Sequence, residues 1–299
     1  MNKSYLFYQI DAFTDDALAG NPCAILFDCD NLKSELMLQI TKENNLSETA
    51  FVMKSDKADA KVRFFTPAHE LPFAGHPTIA TAHALFEKGI VPPESKQISL
   101  EMPAGIIKVD IIKTAEKRLY VMTQNKPEFF EYPDINLILK AFNITQGDLV
   151  KEARPQVVST GLKQLMILVK NQEVLKRLKV DYGFYDQLRK DAKFFSAHLF
   201  CLDSIDHKTQ TFARQPADSP SESEDPFTGS ATGNMAAYLW HHSLINSPKF
   251  IAKQGHWLNR PGQAIVEVEG EPDDILSVKV GGGAVTTIKG NFFIGKAQK

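Results

Sequence analysis

Glu70-Leu-Pro-Phe-Ala-Gly-His-Pro-Thr-Ile-Ala-Thr-Ala-His-Ala-Leu85 returns 154 residues later as Glu224-Asp-Pro-Phe-Thr-Gly-Ser-Ala-Thr-Gly-Asn-Met-Ala-Ala-Tyr-Leu239. Seven of the sixteen aligned positions are identical, where unrelated windows share about one, so an internal duplication is the better explanation. Each copy reads as a loop running into a helix. Gly75 and Gly229 allow a tight turn and close approach of a ligand, and Pro77 falls in a first turn, where a missing N–H costs no helical bond. His76 and Ser230 therefore stand at helix starts, which present N–H groups and partial positive charge to an anion. Ordinary helix capping is the plainer alternative for the same residues.

The duplication places one core in each half, over 1–124, completed by 284–299, and over 125–283. A chain of 299 residues with 43% apolar and 23% charged side chains is long enough for two cores. The net charge of −2, without a Lys/Arg block, argues against nucleic acid as partner. No apolar stretch is long enough for a membrane span and no signal-peptide pattern opens the chain, which reads as a soluble cytoplasmic protein. Cys23, Cys29 and Cys201 are odd in number and form no CxxC pair, so buried free thiols are expected, with no disulfide framework or zinc site.

Apolar runs bracketing Gly20-Asn21-Pro22 predict strands over 5–13 and 24–27, and helical spacing predicts a helix over 34–45 ending near Asn44-Asn45. Further strands are predicted over 49–53, 61–65, 99–101, 106–112 and 119–123. In the second half, helices are predicted over 135–142, 174–178 and 182–189. Strands are expected there over 165–169, 192–202, 209–213, 264–269 and 276–280, with 284–294 returning to the first half. The repeated helices, 78–86 and 231–240, carry apolar or small residues nearly all round and so read as enclosed. Sheet wrapped around one such helix in each half gives an α+β fold of two pseudo-symmetric barrel-like units, with the helix starts meeting at the crevice between them.

Glu48 lies between a helix end and an apolar strand, a setting that desolvates a carboxylate and raises its pKa toward a general base's range; a surface Glu is the plainer alternative. Asp225 reads equally as a capping acid or a proton-handling group. Gly281-Gly-Gly283 precedes a strand pattern, not the helix a phosphate loop would open, so close approach of backbone to a ligand or helix is expected there. His69, His76 and His83 recur every seven residues, but Pro72, Gly75 and Pro77 forbid one helix through them. His83 is expected within its helix's shell, and His241 and His242 toward solvent.

Phe65-Thr66-Pro67 through Thr78, with Ser47-Glu48-Thr49, Asp11-Ala12-Phe13, Gly20-Asn21-Pro22 and Glu224 through Ala231, resembles the phenazine-biosynthesis (PhzF-like) isomerase family over nearly the whole chain. The resemblance implies a diaminopimelate-epimerase-like fold, a homodimer, and catalysis without cofactor or metal on a small carboxylate-bearing metabolite. It places the family's essential glutamate on Glu48, its histidine on His76, its aspartate on Asp225 and its serine on Ser230. Glu48 is then the shuttling base and acid. His76, Ser230 and the helix starts around Gly75, Thr228 and Gly229 hold the substrate and its developing charge. Epimerases and racemases of this fold use paired cysteines at the helix starts, and this chain has none there, which disfavours two-thiol stereoinversion. An epimerase working through another acid/base pair and a non-catalytic metabolite binder are the alternatives.

Overall fold

A computed structural model of the protein describes residues 3–114, 117–205 and 208–295. It is a mixed α/β structure rich in strands, with few helices. Contacts divide it into two compact units, residues 1–122 with 281–299, and residues 123–280.

The first unit is built from β1 (Lys3–Ala12), β2 (Asn21–Leu26), α1 (Ser34–Asn44), β3 (Thr49–Met53), β4 (Ala60–Phe65), β5 (Glu70–Leu71), α2 (Gly75–Glu87), β6 (Gln97–Met102), β7 (Gly105–Lys113) and β8 (Arg118–Gln124). The C-terminal strand Ala284–Ile294 pairs antiparallel with β1, from Lys3 opposite Ile294 to Ala12 opposite Ala284. β1 pairs antiparallel with β2, β2 parallel with β3, β3 antiparallel with β4, and β4 parallel with β6; antiparallel β7 and β8 follow. α2 touches β1, β2, β3, β7 and the C-terminal strand, so the sheet curves around the helix. Ile79, Ala80, Ala82, Ala84 and Leu85 are fully buried, as an all-round apolar helix requires. α1 ends where Asn45 takes the left-handed conformation, φ 51°, and its N–H bonds the Thr41 carbonyl, a C-terminal arrangement that Asn tolerates.

The second unit holds β9 (Glu128–Phe129), α3 (Ile135–Phe142), β10 (Gln156–Ser159), β11 (Lys163–Leu168), α4 (Gln172–Lys176), α5 (Tyr182–Ala192), β12 (Ser196–Ile205), β13 (Lys208–Arg214), α6 (Gly229–His241), β14 (Lys249–Gln254), β15 (Gly262–Glu271) and β16 (Asp274–Gly282). β9 to β15 pair in chain order, parallel at β11–β12 and β13–β14 and antiparallel elsewhere. α6 touches β10, β11 and β15, and ten of its thirteen residues are buried. A separate core joins α3, α4 and α5 to the strands through Phe142, Leu175, Tyr185 and Leu199.

Several sequence expectations shift. The strand predicted from residue 192 begins at Ser196, because α5 runs to Ala192 and Lys193 closes it in the left-handed conformation. The helix predicted over 174–178 runs Gln172–Lys176, capped by the Asn171 side chain on the Val174 N–H. β14 was hidden by its lysines, although Phe250, Ala252 and Gln254 alternate inward. Gly281 and Gly283 accommodate the chain itself. A Cβ on Gly281 would lie 2.6 Å from Val121 Cγ2, and one on Gly283 would meet the Asp15 carboxylate.

Candidate active site

The duplicated segments are held by the same local devices. Arg63 on β4 grips Glu70 through Nε–Oε1 at 2.6 Å and a second bond at 2.5 Å, and Arg214 on β13 grips Glu224 with the same two-bond geometry. Bidentate pairing fixes direction as well as distance, so each loop leaves its strand at a set angle. Thr78 donates to the Ala74 carbonyl at 2.6 Å and Thr232 to the Thr228 carbonyl at 2.9 Å, tying each first turn to its cap residue. The repeated Glu and Thr thus have structural work, and the arginine partners of Glu70 and Glu224 lie on strands outside the repeated segment. Neither α2 nor α6 has a side-chain cap, so its first turn is not closed by a capping oxygen.

In the first unit, Glu48 follows α1 and precedes β3, and its Oε2 lies 3.3 Å from His76 Nε2. That oxygen is buried and accepts no well-aligned hydrogen bond. Although 18% of the side-chain surface reaches solvent, the surrounding protein pushes the pKa up to about 7, opposed by a hydrogen bond with Ser47. Desolvation is the dominant cause, the behaviour of a carboxylate in an apolar setting. His76, the second residue of α2, is 4% exposed, with Asn21 Nδ2 3.0 Å from its Nδ1 and Ser47 Oγ 3.5 Å from its Nε2. With the Asn21 amide donating to Nδ1, Nε2 carries the ring proton and faces Glu48. Buried Cys23 is close enough for the Glu48 charge to add to the burial that drives its thiol pKa well up. Asn21 and Ser47 lie within the Gly20-Asn21-Pro22 and Ser47-Glu48-Thr49 motifs, but nothing in the sequence assigns either of them a contact with His76.

In the second unit, Asp225 stands three residues before the cap position of α6, which is Thr228, so Asp225 does not itself cap the helix. Its carboxylate accepts the Thr228 hydroxyl, its N–H donates to the Gln215 carbonyl at 3.1 Å, and its carbonyl accepts from Gln254 Nε2 at 2.7 Å. Gln254 Oε1 in turn accepts the Thr228 N–H at 3.1 Å. Ser230 is the second residue of α6, matching His76 in α2, and Gly229 precedes it as Gly75 precedes His76. Gly255, at φ +83°, backs this loop: a Cβ there would lie 2.7 Å from the Pro226 carbonyl oxygen and overlap that of Arg260. Gly255→Ala is therefore expected to cost about 2 kcal/mol of stability, read as a lowered unfolding midpoint in urea.

His83, His241 and His242 each have a local partner. His83 is half-buried, 3.2 Å from the Tyr120 hydroxyl. His241 and His242 do not point simply to solvent: one bonds the Pro272 carbonyl at 2.9 Å and stacks on Phe129, and the other bonds Gln156 Oε1 at 2.7 Å. All three cysteines are free and buried. Among the described residues, no three His, Cys, Asp or Glu side chains gather as a metal site, and no helix is long and apolar enough to cross a membrane.

A family model of phenazine biosynthesis-like proteins matches residues 10–290. The chain belongs to the phenazine biosynthesis-like (PhzF) family. Within this family, a protein of Clostridium acetobutylicum named an isomerase is 38% identical over 97% of this chain and 98% of its own. The trans-2,3-dihydro-3-hydroxyanthranilate isomerase of Pseudomonas chlororaphis is 30% identical over 95% of this chain and 98% of its own. A crystal structure of a PhzF-family phenazine biosynthesis protein from Bacillus anthracis superposes with a TM-score of 0.89 at 28% identity, covering 98% of this chain and all of that one. This PhzF-family chain is an isomerase.

Proposed function

We propose that the protein isomerises a small carboxylate-bearing metabolite by moving a proton, with Glu48 as the group that takes and returns it and with no cofactor or metal. The observation that carries this reading is a carboxylate with a pKa near 7 beside a buried histidine, in a family of isomerases. A base poised near neutrality has the protonation state to abstract a carbon-bound proton and, once protonated, to return it at another carbon. His76 orients Glu48 and meets charge that develops on the substrate, and Asp225 acts as a proton relay or orienting group. Gly75, Thr228, Gly229 and Ser230 supply helix-start donors for the substrate's anionic groups. We further read the chain as two similar halves, each with sheet around its central helix, and as a homodimer.

The test substrate follows from the Pseudomonas chlororaphis relative's name, trans-2,3-dihydro-3-hydroxyanthranilate. In deuterated water the wild-type enzyme, dialysed against a chelator, is expected to place deuterium on a product carbon or to transfer a substrate deuteron internally, read by NMR. A rate restored only by an added metal ion would overturn the cofactor-free mechanism. Inversion at one carbon without double-bond migration would favour the epimerase reading.

A further inference from the structure

Ser230 sits at the end of a buried amide chain whose direction is dictated by the main chain. Asn234, one turn further along α6, accepts the Thr160 N–H on Oδ1 at 2.7 Å and donates from Nδ2 to the Leu162 carbonyl at 2.9 Å. A backbone N–H can only donate and a carbonyl can only accept, so this amide has one orientation. Its remaining Nδ2 hydrogen goes to Gln164 Oε1 at 2.8 Å, which turns Gln164 Nε2 toward Ser196 Oγ at 3.2 Å and Ser230 Oγ at 3.5 Å. Gln215 Nε2 donates to the same Ser196 oxygen at 2.5 Å, and Gln215 Oε1 meets His198 Nδ1 at 2.8 Å. Asn234 and Gln164 are at most 1% exposed.

The helix start is tied into the same chain. Gln124 donates to the Gly229 carbonyl at 2.9 Å and accepts the Thr160 hydroxyl at 2.5 Å. It occupies the space a Cβ on Gly233 would fill. Apolar residues would hold α6 against β11 without the risk of unsatisfied polar atoms, whereas a directional chain adds orientation.

We propose that Asn234 and Gln164 are positioning residues that set the Ser230 hydroxyl as a donor toward its ligand, so that the ligand atom it meets is an acceptor oxygen. This rests on the reading that Ser230 touches the substrate. With the Gln164 N–H facing Ser230 Oγ, the serine proton is turned away from Gln164; at 3.5 Å the contact is long, and its effect lies in direction more than strength.

Two measurements test the assignment. Neutron diffraction from perdeuterated crystals of the ligand-free protein is expected to show both Gln164 deuterons facing Ser196 and Ser230, with the Ser230 deuteron pointing away; a Ser230 deuteron on Gln164 overturns the proposal. Steady-state kinetics with trans-2,3-dihydro-3-hydroxyanthranilate then compares Gln164→Met, Ser230→Ala and the double variant. Gln164→Met is expected to raise KM about tenfold, the scale of one oriented hydrogen bond to a charged group, and to raise it hardly at all in the Ser230→Ala background. Equal effects in both backgrounds would mark Gln164 as merely structural and overturn the proposal. Absence of turnover in the wild type defeats the functional reading instead, and the neutron map then decides the positioning role alone.

Discussion

On the proposed mechanism, Glu48→Gln is expected to lower kcat for the test substrate by at least about 10²-fold, the usual scale for a positioned general base. The amide keeps the shape of the carboxylate and its hydrogen-bonding capacity, so substrate binding stays largely intact and the loss appears in kcat, not KM. Deuterium uptake from solvent is expected to disappear with the rate, because the glutamine amide cannot accept the carbon-bound proton. In the wild type, kcat/KM is expected to rise with pH through about 7, where burial places the Glu48 pKa. Undiminished exchange in Glu48→Gln would move the base role to Asp225 and favour an epimerase-like mechanism.

The same substitution is expected to stabilise the folded protein at alkaline pH. Burial raises the Glu48 pKa from 4.5 to about 7, so between those values the folded state holds a proton that the unfolded state has released. Wild-type stability therefore falls as pH rises from about 4.5, and the whole penalty is present above about 7. At 1.36 kcal/mol per pKa unit the penalty amounts to up to about 3 kcal/mol. Glutamine carries no such titration. Urea unfolding is expected to show Glu48→Gln equal to wild type near pH 4 and more stable at pH 8. An equal difference at both pH values would mean that Glu48 is not desolvated in the folded state. Loss of rate together with gain of stability is the pattern of a side chain kept for chemistry at a cost to the fold.

The repeat from Glu70 to Leu85 and from Glu224 to Leu239 was enough to place two buried helices and their glycine-led starts, because residue size all round a helix is a local property of the sequence. Most strands were legible for the same reason. Where a lysine-rich strand such as β14 or a helix end such as Lys193 depended on its neighbours, boundaries moved or were missed. Glu48 was legible as a candidate from its place between a helix end and an apolar strand, and the family motifs singled out His76, Asp225 and Ser230. Only the tertiary structure set Glu48 beside His76, 28 residues away, and surrounded it with enough protein to lift its pKa. Asp225 shows the same division: its residue type fits a cap, and it is the fold that puts Thr228 at the cap position and turns the carboxylate onto the Thr228 hydroxyl. The amide chain from Asn234 through Gln164 to Ser230 left no trace in the sequence. Its members are scattered polar residues, and their order and direction come from main-chain groups that only the folded sheet and helix bring together.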